Sequence, residues 1–188
     1  MPAKSNRTII GSSIAPFRLV FLMWLTFALD FLYGFDLKFL GIFPRDTAGL
    51  PGILFAPILH GDIQHLVSNT VPIIFLGATL FFYYARVANT VFVACYFGTN
   101  LLVWLLARPS YHIGASGVVY GLAAFLIFLG LFRRDFMSLL IAAVVLFIYG
   151  SIFYGILPTG GNISWESHLF GAIVGATMAS FYKKARLN

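Results

Sequence analysis

The stretch ASGVVYGLAAFLIFLGLF, Ala115–Phe132, runs 18 residues without a charge or a proline. It ends on Arg133-Arg134-Asp135. A helix of about 20 apolar residues crosses the hydrocarbon of a bilayer, so this stretch reads as a membrane span. Working outward, similar apolar runs lie at Phe17–Phe35, His65–Tyr84 and Val87–Ala107 on one side, and at Phe136–Leu157 and Glu166–Tyr182 on the other. Six such spans take roughly 120 residues. In a chain of 188 residues that leaves one compact membrane domain, expected over 1–188, with little room for a second. Composition agrees. The chain is 60% hydrophobic and 10% charged, with mean hydropathy +0.92. A soluble domain is about 45–50% apolar and about 25% charged. A soluble globule of this size could not hide so much apolar surface in one core. Disordered and nucleic-acid-binding classes fit no better. The net charge of +6 suits a cytoplasmic membrane face rather than nucleic acid.

Between the first two spans, Asp36–Gln64 is broken by Pro44, Pro51 and Pro57 and holds apolar pieces too short to span. It reads as a re-entrant or interfacial loop. Pro72 is expected to bend the second span, and a Gly-rich loop, Pro158–Trp165, precedes the sixth. The apolar stretch after Lys4 and Arg7 lacks a small-x-small cleavage site and reads as the first span, not a signal peptide. The single cysteine, Cys95, can form no internal disulfide.

Charge gives an orientation. With the N-terminus in the cytoplasm, nine basic residues fall inside: Lys4, Arg7, Arg18, Arg86, Arg133, Arg134, Lys183, Lys184 and Arg186. Three fall outside: Lys38, Arg45 and Arg108. The positive-inside rule favours this arrangement, and an even span count puts both basic termini on the same side.

In that topology the second, fourth and sixth spans start on the outer side. The polar residues within apolar runs gather at those starts: His65 and Asn69, Ser116, and His168. Polar groups at membrane depth are costly and point to function. Serine becomes a nucleophile when a base lies beside it, and His168 is the natural candidate. Gly117 and Gly121 on the fourth span, and Gly171 and Gly175 on the sixth, have the GxxxG spacing that lets helix backbones approach closely. Glu166 is two residues from His168 and faces elsewhere, so a Ser–His dyad is the simpler reading. Tyr120 lies one turn below Ser116 on the same face and can hold the imidazole in place. The Asn69 amide, the Ser116 N–H and His65 are candidate donors to an oxyanion.

These residues resemble the rhomboid intramembrane serine proteases over nearly the whole chain. The carrying motifs are His60-Gly-Asp-Ile-Gln-His65-Leu-Val-Ser-Asn69 entering the second span, Gly114-Ala-Ser116-Gly117 followed by Tyr120 at the fourth, and Ser-His168-Leu-Phe-Gly171 with Gly175 at the sixth. Many family members carry a Trp-Arg pair in the first outer loop, and Asp36–Gln64 has none. The resemblance implies an all-α polytopic membrane protein, a six-transmembrane-helix rhomboid-like bundle with both termini cytoplasmic. It implies an endopeptidase that cleaves transmembrane segments of other membrane proteins, without a cofactor. Ser116 would be the nucleophile and His168 the base. His65 and Asn69 would help form the oxyanion hole, with Tyr120, Gly114, Gly117 and His60 in support. The partners expected are transmembrane substrates and the lipid bilayer. The short chain resembles a prokaryotic member, set in the bacterial inner membrane with its site toward the periplasm.

Blander readings stand beside these. Ser116 alone suits a tight helix contact, His60 a packed loop residue and His112 a solvated one. Asp30 sits near the outer end of the first span, which suits an interfacial role. No histidine pair has zinc-protease spacing, so no metal is expected. A catalytically silent rhomboid-like binding factor is the alternative function. A solute carrier would show repeat symmetry and broken helices in matching halves, and neither is visible.

Overall fold

The computed structural model describes residues 8–158 and 163–185. Lys4, Arg7 and Arg186, and positions 159–162 of the expected Gly-rich loop, lie outside the described residues. Among the described residues the regular structure is helical, apart from one antiparallel bridge between Ile42 and His112. Four helices are long and apolar enough to cross a membrane: α1 (Ile9–Tyr33), α2 (Ile63–Tyr83), α3 (Ala85–Leu106) and α4 (Ser116–Arg133). Two more follow, α5 (Phe136–Tyr149) and α6 (Trp165–Tyr182). Large apolar side chains such as Phe31, Phe136, Phe147 and Phe181 point outward. They suit lipid rather than water as solvent, and the chain is a multi-pass membrane protein.

The helix ends follow local chemistry, and they correct several expected boundaries. α1 begins eight residues before Phe17 because the Thr8 hydroxyl caps it, accepting from Gly11 N at 3.0 Å. Pro16 is accommodated inside α1 and packs against Gly77 of α2. α2 begins at Ile63 rather than His65 because Asp62 accepts from the His65 N–H at 2.7 Å. α3 contains a π-helical turn, Ala94–Gly98. α5 leaves α-helical geometry at Tyr149 and tightens into a 3₁₀ segment, Gly150–Ile156, within the expected fifth span. The Ser164 side chain caps α6, which starts at Trp165, one residue before the expected Glu166.

The segment between α1 and α2 is a chain of short helical turns: Leu37–Leu40, Thr47–Gly49, Gly52–Phe55 and Ala56–Ile58. It lies on the C-terminal half of α3, which donates side-chain hydrogen bonds to its carbonyls. Tyr96 Oη reaches Leu54 O at 2.6 Å, Asn100 Nδ2 reaches Ile53 O at 3.0 Å and Trp104 Nε1 reaches Asp46 O at 2.9 Å. Asp30 accepts from Leu37 N at 3.0 Å, tying the loop to α1.

The core is α4. In its most apolar window 72% of residues are buried, against 22% in α1 and 33% in α2. Its closest neighbour is α6. A Cβ on Gly171 would collide with Gly117 O, and a Cβ on Gly175 with Gly121 O. A Cβ on Gly121 would also sit 2.8 Å from Cys95 Sγ of α3 and 3.3 Å from Gly171 O. Replacing Gly171 by leucine is therefore expected to lower stability by at least about 1–3 kcal/mol, the usual range for overpacking. Thermal unfolding of the purified protein in detergent measures this. A midpoint equal to wild type would show that the two backbones are free to separate.

Candidate active site at the N-terminal ends of α2, α4 and α6

The loop before α4 reaches Ser116 through Gly114, whose φ of 107° is open to glycine. Space also demands glycine. An added Cβ would lie 2.5 Å from His65 Cε1 and 2.6 Å from His65 Nε2. The His65 ring therefore packs directly on the turn that presents Ser116. Ser116, the first residue of α4, is half-buried.

His168 lies in the first turn of α6 and is 8% exposed. Its Nε2 is 2.8 Å from Ser116 Oγ. Its Nδ1 is 2.9 Å from the carbonyl oxygen of Gly155, in the 3₁₀ segment after α5. A carbonyl can only accept, so Nδ1 carries the proton. Nε2 is then the bare nitrogen that accepts from the Ser116 hydroxyl. Tyr120 stacks flat on the imidazole, with centroids 4.0 Å apart and ring planes within 5°. The ring is thus fixed on one face by Tyr120 and at both nitrogens by hydrogen bonds.

Asn69 is buried nearly two turns into α2 and also lies close to the histidines. Its amide donates to His60 Nε2 at 3.1 Å and to His65 O at 3.1 Å. Both amide hydrogens are engaged, so donation to any further acceptor requires one of these bonds to open. His60 packs edge-on against His65, with centroids 4.9 Å apart. His60 is thus joined to the α2 residues through both Asn69 and His65. Glu166 faces away from His168, pairing with Arg108 at 3.2 Å.

The structure corrects the reading of His112. It is buried, at 2% exposed, because the first loop covers it and pairs with it through Ile42. Two other groups had no sequence signal read for them. The Gly155 carbonyl is a backbone atom and leaves no residue signature. Ser164 could have been found as a helix cap, three residues before Ser167. Among the described residues no three His, Cys, Asp or Glu side chains gather where they could hold a metal ion.

A family comparison fits this geometry. The family model described as Rhomboid domain matches residues 48–185. The chain belongs to the rhomboid family. This rhomboid chain is also similar to mycobacterial proteins. Uncharacterized protein Rv1337 of Mycobacterium tuberculosis is 39% identical over 188 residues, covering 94% of this chain and 77% of the relative. Uncharacterized protein Mb1372 of Mycobacterium bovis matches to the same extent. Uncharacterized protein ML1171 of Mycobacterium leprae is 37% identical over 170 residues, covering 84% of this chain and 66% of the relative.

Burial, reinforced by neighbouring His65, pushes the His60 imidazole down to about 3. Burial also holds His112 below the ordinary histidine range. For both, the unfolded chain binds more protons than the folded one once the pH drops below about 6.5. The contribution of His60 is full above that pH and is lost as the pH falls toward about 3, and that of His112 declines in the same direction. Unfolding midpoints measured in detergent across this window should drop with acid. The slope should be shallower in His60→Gln, and an unchanged slope would remove His60 as a source of the acid sensitivity.

Proposed function

We propose that the chain is an intramembrane serine endopeptidase that cleaves transmembrane segments of other membrane proteins through Ser116 and His168. The observation that carries this reading is the 2.8 Å contact between Ser116 Oγ and His168 Nε2, with the bare nitrogen of the imidazole facing the hydroxyl. That distance lies within the range of about 2.6–3.2 Å needed for a base to take a proton.

Ser116 Oγ attacks the carbonyl carbon of the scissile peptide as its proton passes to His168 Nε2. The imidazolium that forms keeps its Nδ1–H bond to Gly155 O, and Tyr120 holds its plane. The developing oxyanion takes hydrogen bonds from the Ser116 N–H, from His65 and from Asn69 once its bond to His65 O opens. His168 then protonates the leaving amine as the C–N bond breaks, which leaves an acyl-enzyme on Ser116. Water, deprotonated by His168 Nε2, attacks the ester and releases the acid and Ser116. A substrate helix already satisfies its own backbone hydrogen bonds. It must unwind locally before its carbonyl can reach Ser116.

The six-span arrangement over 1–188, with both termini cytoplasmic, belongs to the same proposal. α5 and its 3₁₀ extension together hold 14 and 7 residues. At ~1.5 and ~2.0 Å per residue they rise about 35 Å, enough to cross the hydrocarbon. The basic residues Arg133, Arg134, Lys183 and Lys184 at the ends of α4 and α6 support a cytoplasmic face there. The site then opens toward the outer, periplasmic side of a bacterial inner membrane.

A fluorophosphonate probe should label Ser116 in wild-type protein and fail to label Ser116→Ala or His168→Ala. Cleavage of a membrane-protein substrate should vanish in the same two variants. Asn69→Ala should lower kcat by about 10²–10³-fold, the usual effect of losing one oxyanion donor. If folded wild-type protein resists the probe and cleaves nothing, the protease reading fails and the silent binding factor takes its place.

A further inference from the structure

A second, part-buried serine–histidine contact lies beside the first. His112 Nδ1 is 2.6 Å from Ser164 Oγ. The chain separation is 52 residues, the same as between Ser116 and His168. In each pair one partner comes from the α4 side and the other from the α6 side, with the residue types exchanged. His112 is four residues before Ser116, and Ser164 is four before His168. The same two stretches of chain are therefore pinned twice, at points four residues apart in each.

The remaining bonds of His112 fix what the contact does. Its Nε2 donates to Arg108 O at 3.1 Å and also lies 3.3 Å from Ser110 Oγ, which leaves Nδ1 to accept from the Ser164 hydroxyl. Ser164 in turn caps α6, accepting from Ser167 N at 3.3 Å, and its Oγ also lies 2.6 Å from Ser167 Oγ. The His112 backbone pairs with Ile42 in both directions, at 2.9 and 3.0 Å. One residue thus joins the segment leading to Ser116, the cap of the helix carrying His168 and the loop between α1 and α2.

We propose that His112 and Ser164 form a positioning clamp that sets the Ser116–His168 distance, acting on the site without touching substrate. The catalytic part of this claim rests on the protease reading above. The clamp itself is a statement about geometry, so it can be tested without activity.

The experiment combines steady-state cleavage, probe labelling and ¹⁵N-histidine NMR on the full chain in lipid nanodiscs. His112→Ala and Ser164→Ala should each lower kcat and the labelling rate by about 100-fold, as expected for a displacement near 1 Å, and leave KM unchanged. The double variant should lose no more than either single one, because the two act as a unit. Ser164→Thr, which keeps the hydroxyl, should recover most of the rate. The His168 nitrogen signals should move from a single Nδ1–H tautomer toward a mixture in both alanine variants. Unchanged kcat in the folded alanine variants, or losses that multiply in the double variant, would overturn the clamp. If His112→Ala does not fold, Ser164→Ala decides. If wild-type protein proves inactive, the protease reading fails on its own. The His168 tautomer then decides the clamp, and signals unmoved by Ser164→Ala would overturn it.

Discussion

The close approach of α4 and α6 is the constraint on which the rest of the structure depends. Between helices in lipid the hydrophobic effect supplies no net attraction, so association comes from packing and hydrogen bonds. Here the packing is backbone on backbone. Gly171 rests on the Gly117 carbonyl, and Gly175 rests on the Gly121 carbonyl. The same two glycines of α4 serve its other neighbour: a Cβ on Gly117 would meet Thr99 Cγ2 at 2.8 Å, and one on Gly121 would meet Cys95 Sγ. α4 therefore presents a glycine face on which both α3 and α6 close. The glycines of α4 and α6 let their first turns come close enough for Ser116 to reach His168.

Polar side chains near this crossing are satisfied largely by backbone carbonyls. The carbonyl of Gly155 accepts from His168, that of Arg108 from His112 and that of His65 from Asn69. The first outer loop is anchored in the same way, through the carbonyls of Asp46, Ile53 and Leu54. A carbonyl brings no titratable group into a low-dielectric site, where an isolated carboxylate would be costly. It can still fix a histidine tautomer, which is the orienting task of the aspartate in a Ser-His-Asp triad.

The sequence made the apolar helices legible, because spans of α1 to α4 need long uncharged runs and little else does. It also exposed the glycine pairs and the polar residues within apolar runs, since Ser116, His168 and Asn69 stand out against leucine and phenylalanine. Where it fell short, the missing information was tertiary. His112 sits in Arg108-Pro109-Ser110-Tyr111, a context that reads as solvated loop. Only the first outer loop folding over it, through Ile42, makes it a core residue. The start of α1 depended on a threonine cap and on Pro16 finding space against Gly77. Neither is fixed by hydropathy.

The end of α5 shows why these local departures matter to the site. Near the C-terminus of any helix the last carbonyls lack partners within the helix. Gly155 lies next to the end of the 3₁₀ segment, where Leu157 N bonds to Tyr154 O and not to Gly155. The Gly155 carbonyl is thus free for His168. Glycine is also required there by packing, since a Cβ would strike Tyr120 Oη and lie 3.1 Å from His168 Nδ1. Had α5 continued as a regular α-helix, its carbonyls would have pointed along its own axis to later N–H groups. The tightened turn gives up regular hydrogen bonding at the outer edge of the bundle, and in exchange the imidazole of α6 gains an acceptor at Nδ1 that leaves Nε2 bare toward Ser116.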